Sequence, residues 1–124
     1  MLTGALGKAY QDGQEIVHQG EVGDCMYIIQ VGEAEVVQRR DTKEFCLAVL
    51  GEGDIFGEMA LFDREPRRYS VRAIGNVWVL SLGRKDFMRR MHEDPSLVFS
   101  VVEKLCRRIH ELNEKLIRSG DVGF

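Results

Sequence analysis

Between Phe56 and Ala73 the chain reads Phe-Gly-Glu-Met-Ala-Leu-Phe-Asp-Arg-Glu-Pro-Arg-Arg-Tyr-Ser-Val-Arg-Ala, and these residue types suit the capture of a small anion. Gly57 precedes a helix-competent stretch, Glu58 to Leu61, and the first turn of a helix leaves its N–H groups unpaired and carries partial positive charge. Arg67 follows ten residues after Gly57. Its planar fork grips phosphate oxygens in pairs and stays charged when partly desolvated. A carboxylate beside a phosphate is out of place unless it has another task, and Glu58 is a good acceptor for a sugar hydroxyl. Sugar and phosphate together make a nucleotide. Taken singly, each feature has a plainer role. A Gly-Glu pair is most often a turn with a solvated charge, and Arg64, Arg67, Arg68 and Arg72, balanced by Asp63 and Glu65, could form an ordinary surface strip. For Arg64 and Arg72 the solvated role is the expectation.

The elements that must position this segment are marked by glycine. Gly13, Gly20, Gly23, Gly32, Gly51, Gly53, Gly57 and Gly75 bracket short apolar runs, the rhythm of strands joined by tight turns. The expected strands are Gln14 to Val17, Cys25 to Val31, Glu33 to Arg39, Phe45 to Leu50, Tyr69 to Ala73 and Val77 to Leu82. Ala34, Val36 and Gln38 alternate with Glu35, Val37 and Arg39 in a period of two. Glycine is then absent between Gly83 and Gly120, and the pattern becomes helical. One helix is expected from about Arg84 to Met91. A second is announced by Asp94 as N-cap with Pro95 at the first helical position. Along it Val98, Val102, Leu105, Ile109, Leu112 and Leu116 form a heptad stripe, which serves either as a core-facing side or as a seam for a second copy. Leu97, Val101 and Cys106 add a second apolar flank, so a parallel homodimer through this helix is the expectation.

With 124 residues, 44% of them hydrophobic, the chain has material for one ordinary core, and a single domain spanning 1–124 is expected, with the barrel over about 8–83 and the helical part over about 84–118. A net charge of −3 argues against a general nucleic-acid binder. Cys25, Cys46 and Cys106 are odd in number and set in apolar stretches, as buried thiols of a reducing compartment would be. The start, Met1 to Gly7, lacks a basic region and a signal-length apolar run, and no run of about 18 apolar residues occurs, so the cytoplasm is the expected location and no membrane segment is expected.

Four ordered blocks together resemble the cyclic nucleotide-binding domain, the module shared by catabolite activator proteins, regulatory subunits of cyclic AMP-dependent kinase and cyclic nucleotide-gated channels. Gly13 to Glu21 resembles the family's opening strands, and Met26 to Val36 its central hairpin. Gly53 to Glu58 and the pair Pro66-Arg67 fall where the family has its phosphate-binding cassette. The resemblance implies a mainly β fold with a C-terminal α part: a jelly-roll (double-stranded β-helix) barrel with a short cassette helix and a long C-terminal helix. It implies that Arg67 pairs with the cyclic phosphate, that Glu58 accepts from the ribose 2′-hydroxyl, and that the amides of Gly57, Met59 and Ala60 line the site beside Phe56. Arg68 would lend its N–H to the phosphate, with Tyr69 next to it, and Val36 and Leu47 would form an apolar wall for the base. The family prefers small residues where Arg68 and Tyr69 stand. Its cyclic GMP sites tend to carry a threonine or serine hydroxyl at the position of Arg68, so cyclic AMP is the expected ligand and cyclic GMP the second candidate. Ligand capture would then move the helices after Arg84 through Met59 and Leu61.

Other classes fit less well. An interaction module with a degenerate pocket is favoured by Arg68 and Tyr69. A metal-dependent cupin enzyme needs converging ligands, whereas His18, His92 and His110 are not at ligand spacing, so neither a metal nor a cofactor is expected. A nucleophile elbow of the Gly-x-Ser-x-Gly kind is absent, and no enzyme activity is expected. The chain stops at Phe124, soon after the predicted helix, so no nucleic-acid contact by this chain itself is expected, and it reads either as a stand-alone sensor or as part of a longer protein.

Overall fold

The computed structural model describes residues 6–120. The expectations placed on the first residues and on the last four concern Met1 to Ala5 and Asp121 to Phe124, which lie outside that range. The elements in chain order are β1 (Leu6–Tyr10), β2 (Glu15–Val17), β3 (Cys25–Arg40), β4 (Lys43–Leu50), β5 (Ile55–Phe56), a 3₁₀ turn (Glu58–Leu61), β6 (Ser70–Gly83), α1 (Arg84–Glu93) and α2 (Pro95–Arg118). The chain divides into two compact units between Phe87 and Met88.

In the first unit every strand pair is antiparallel, along the path β1-β6-β3-β4, with β2 added to β6 and β5 to β3. Two long strands, β3 and β6, form its spine, paired from Cys25↔Gly83 to Val37↔Ser70. The glycines at 32 and 75 do not break these strands as the sequence suggests. Between the pairs Val31↔Trp78 and Glu33↔Ile74, β3 advances two residues and β6 four, so the ladder bends without ending. Gly32 adopts φ 93°, and a Cβ there would collide with the carbonyl oxygen of Asn76, which only glycine avoids. Met26 to Val36 is therefore one continuous strand with a bulge. The hairpin lies further on, where Arg40 pairs with Lys43 across Asp41 and Thr42 and Asp41 takes φ 58°.

The core gathers alternate residues of these strands, among them Ile16, Ile29, Ala34, Val36, Phe56, Val71, Ala73, Val77 and Val79, with Tyr10, Tyr27, Leu50 and Tyr69 packed against it. Strand β4 contributes little: Lys43 to Val49 are all exposed, and nothing among the described residues pairs with its outer edge. This corrects the expectation of buried thiols. Cys46, in the run Phe45-Cys46-Leu47, is exposed, as is Cys106 on α2, and Cys25 alone is half-buried.

The second unit holds the end of α1 and all of α2. Asp94 caps α2 by accepting from the Ser96 N–H at 3.1 Å, with Pro95 in the first turn, as the sequence predicts. No residue of α2 is fully buried, and Val102, Ile109, Leu112 and Leu116 of the stripe are exposed. No helix of the described residues is long and apolar enough to cross a membrane.

Cys25 differs from the two exposed thiols in its surroundings. Burial, aided by a hydrogen bond from the thiol to Asp24 Oδ1 at 3.3 Å, pushes Cys25 up to about 11. At pH 8 only about one in a thousand of such groups is thiolate, the nucleophilic form. Iodoacetamide at pH 8 is expected to alkylate Cys46 well before Cys25, as followed by peptide mass spectrometry; equal rates would contradict the burial of Cys25.

Candidate functional site

The first half of the site is set by β5. Its two residues pair with β3 through Tyr27↔Phe56 and Ile28↔Ile55, and the approach is clamped by Gly53 N–H to Ile29 C=O at 2.8 Å and Ile29 N–H to Asp54 C=O at 3.0 Å. Phe56 is fully buried, its ring stacked on Tyr27 with centroids 5.2 Å apart and planes 13° apart. Gly57 then turns the chain with φ 75° and ψ 8° into the 3₁₀ turn, which no side chain caps. Leu61 buries the far end of the turn. Within it the Ala60 N–H donates to the Gly57 carbonyl at 3.1 Å, so this amide is engaged in the turn itself. Met59 is 60% exposed, and the neighbour in ring contact is Phe62, edge-on to Phe87 at 6.2 Å. Glu58 is half-buried, with Oε2 shut off from solvent.

The second half, Pro66 to Ser70, enters β6 held by the opening strands. Arg67 N–H donates to Glu21 C=O at 2.9 Å and Gly20 N–H to Arg67 C=O at 2.7 Å. Gln38 Nε2 donates to the Arg68 carbonyl at 3.0 Å, and Gln19 N–H to the buried Ser70 hydroxyl at 2.9 Å. These bonds fix the backbone on both sides of Arg67. The Arg67 side chain is half-buried. Its Nη2 donates to the Cys25 carbonyl at 3.3 Å, its guanidinium lies 5.9 Å from the Tyr27 ring centroid, and Nη1 lies 2.9 Å from where a Cβ of residue 57 would be.

A pocket of about 280 Å³ opens beside this junction. Of the residues singled out in the sequence, Gly57, Met59, Ala60, Arg67, Arg68 and Tyr69 line it. Phe56 and Val36 are instead core residues. Leu47 is half-exposed on β4, in a bulge: Val36 pairs with Ala48 and Val37 with Cys46, which leaves Leu47 without a partner across the ladder. Pro66 of the cassette pair lines the pocket too, as do Asp63 and Glu65, which the sequence reading gives only as charge balance. Among the described residues no group of three His, Cys, Asp or Glu is gathered as a metal site would require.

Of the remaining arginines, Arg64 is exposed, as expected, whereas Arg72 is not a freely solvated charge. Arg72 bonds Glu35 Oε1 through Nε at 2.7 Å and grips both oxygens of Glu44 at 3.2 and 2.9 Å. Arg39 bridges the same Glu44 at 3.3 Å and Glu15 at 2.8 Å, so the network ties β2, β3, β4 and β6 together. The Arg72 hydrogen bond holds Glu44 below the ordinary glutamate range, and the Arg39 hydrogen bond does the same for Glu15. Lowered carboxylate values add stability that is fully present above the ordinary value of about 4.3 and is lost as pH falls through the lowered ones. The stability lost between pH 7 and pH 3, measured by urea unfolding, is expected to be smaller for Glu44→Gln than for the parent; equal losses would show the network to be inert.

Comparison with known proteins adds four findings. Residues 7–94 match the family described as "Cyclic nucleotide-binding domain". The chain is 40% identical over 114 residues to the cAMP-dependent protein kinase type II regulatory subunit of Drosophila melanogaster, which covers 91% of this chain and 28% of the relative. It is 30% identical over 110 residues to the cyclic AMP receptor protein of Thermus thermophilus, covering 88% of this chain and 51% of the relative. The crystal structure of the Thermus thermophilus catabolite activator protein superimposes with a TM-score of 0.83 at 28% identity, over 96% of this chain and 56% of that one. The chain thus spans about half or less of the curated relatives it matches.

Proposed function

The chain belongs to the cyclic nucleotide-binding domain family, and on that premise we propose that the pocket beside Gly57 takes a cyclic nucleotide, cyclic AMP in preference to cyclic GMP. One observation carries this: the Arg67 fork lies against the Gly57 turn, so a single phosphate can meet a guanidinium and a glycine-led turn together. Arg67 pairs with the phosphate, with the amides of Gly57, Met59 and Arg68 as neutral donors. Ala60 shares its amide with the Gly57 carbonyl and gives less than the other donors. Glu58 accepts from the ribose 2′-hydroxyl, and its partly desolvated carboxylate favours a short hydrogen bond. Phe56 and Val36 support the site from the core, and Leu47 and Tyr69 are the apolar surface offered to the base. The preference for cyclic AMP rests on Arg68, which supplies no hydroxyl at the position where the family's cyclic GMP sites tend to have one, and on relatives named for cyclic AMP.

The protein acts by binding and not by catalysis. Ligand capture draws the 3₁₀ turn inward, and Phe62, edge-on to Phe87, carries the shift into the first turn of α1. This is a population shift that requires a difference in affinity between two states of about 1 to 3 kcal/mol. Its output passes to α2 within a cytoplasmic homodimer.

A second reading, a module whose pocket binds nothing, is favoured by the carboxylates of Asp63 and Glu65 at the pocket. Titration calorimetry separates the two. A hydrogen bond to a charged group contributes roughly 1.5 to 3 kcal/mol, so Arg67→Ala is expected to weaken cyclic AMP binding about tenfold to a few hundredfold. Glu58→Gln is expected to lose less, because the amide oxygen still accepts one bond. Equal affinities for Arg67→Ala and the parent would remove the assignment, and a parent that binds neither cyclic nucleotide would establish the second reading. The homodimer is checked by light scattering at micromolar concentration: a dimeric mass is expected, and a monomeric mass rejects it.

A further inference from the structure

We propose that Gly23 and Tyr27 are positioning residues that hold the Arg67 guanidinium against Gly57; the inference rests on the assignment of Arg67 to the phosphate. Arg67 and Gly57 come from opposite ends of a ten-residue excursion, and a flexible arginine has many rotamers. Something must select the one that points at the turn.

The space comes from Gly23. A Cβ there would overlap Arg67 Nη2 and lie 2.7 Å from Cζ and 2.9 Å from Nε. Gly23 is not among the glycines with positive φ, so its backbone does not demand glycine. What glycine supplies is room for a guanidinium. The atoms that an added methyl group would strike all belong to the far end of a flexible side chain, so Gly23→Ala is accommodated by swinging the fork away while the backbone stays in place.

The height of the fork comes from Tyr27. The guanidinium is 5.9 Å from the Tyr27 centroid, within the range of a cation–π contact, and Nη2 donates to the carbonyl of Cys25 on the same strand. The Tyr27 ring also stacks on Phe56, the residue before Gly57. One aromatic ring is thus the common support of both halves of the site. Since the face of the ring makes the contact, phenylalanine preserves it and leucine does not.

A double-mutant cycle by calorimetry with cyclic AMP is the test. Gly23→Ala is expected to weaken binding by about three- to thirtyfold without lowering the melting temperature of the ligand-free protein. Tyr27→Leu loses affinity in the same range, and Tyr27→Phe stays within about twofold of the parent. In an Arg67→Ala background both losses vanish, because the group they position is gone. If the losses persist undiminished in that background, or if Gly23→Ala binds as the parent does, the positioning role is overturned while the site stands. A parent that binds no cyclic nucleotide removes the site itself, an outcome distinct from these. Should Tyr27→Leu fail to fold, the Gly23 arm of the cycle decides alone.

Discussion

The contact between the Arg67 fork and the Gly57 turn is the constraint on which the rest of the first unit depends. A guanidinium left in water is an ordinary surface charge of little consequence. The same group, half-buried with one arm on the Cys25 carbonyl, has already lost part of its freedom and hydration. A ligand meeting it then has less ordering to impose, which is the physical content of preorganisation. The ladder between β3 and β6 serves this end. It brings Ser70 opposite Val37, so that Gln38 and the Gly20–Glu21 backbone can hold the residues flanking Arg67, while the other end of β3 carries Tyr27 and Cys25 beneath the guanidinium.

The bend in that ladder connects the two tasks. A straight pair of strands of this length would leave the two ends of β3 far apart on a flat surface. The mismatch at Gly32, where β6 spends two extra residues around Gly75, bends both strands. Turn glycines and bulge glycines look alike in one dimension. For that reason the glycine rhythm suggests four strands where two run through, and the hairpin that the resemblance implies over Met26 to Val36 is a single bent strand. The true hairpin, at Asp41 and Thr42, has no glycine to announce it.

The legible parts were those with a local cause. Asp94 and Pro95 declare a helix start by their own hydrogen-bonding and φ preferences, and α2 begins there. The Gly57-led turn is likewise a property of neighbouring residues. Less legible was whatever depends on residues distant along the chain. The apolar run around Cys46 looked buried, yet an edge strand has neighbours on one side only, and periodicity does not say which strand is the edge. Arg72 looked like a solvated charge because Glu35 and Glu44 reach it from β3 and β4. Asp63 and Glu65 entered the pocket lining through the path of the loop, not through any motif.

Those two carboxylates also bear on how a chain of net charge −3 can take an anion at all. At physiological salt a charge is screened beyond about 8 Å, so the overall balance matters less than what lies within a few ångströms of the phosphate. With Asp63 and Glu65 lining the same pocket as Arg67 and Arg68, there is no excess of positive charge to attract anions in general. In the proposed site, affinity comes from short directional bonds, a fork on two oxygens and amides along one turn, which reward one shape and not mere charge. A pocket of this kind discriminates by geometry. On the proposed assignment, the placement of a single guanidinium, set by Gly23 just before β3 and by Tyr27 within it, carries more weight than the number of basic residues around it.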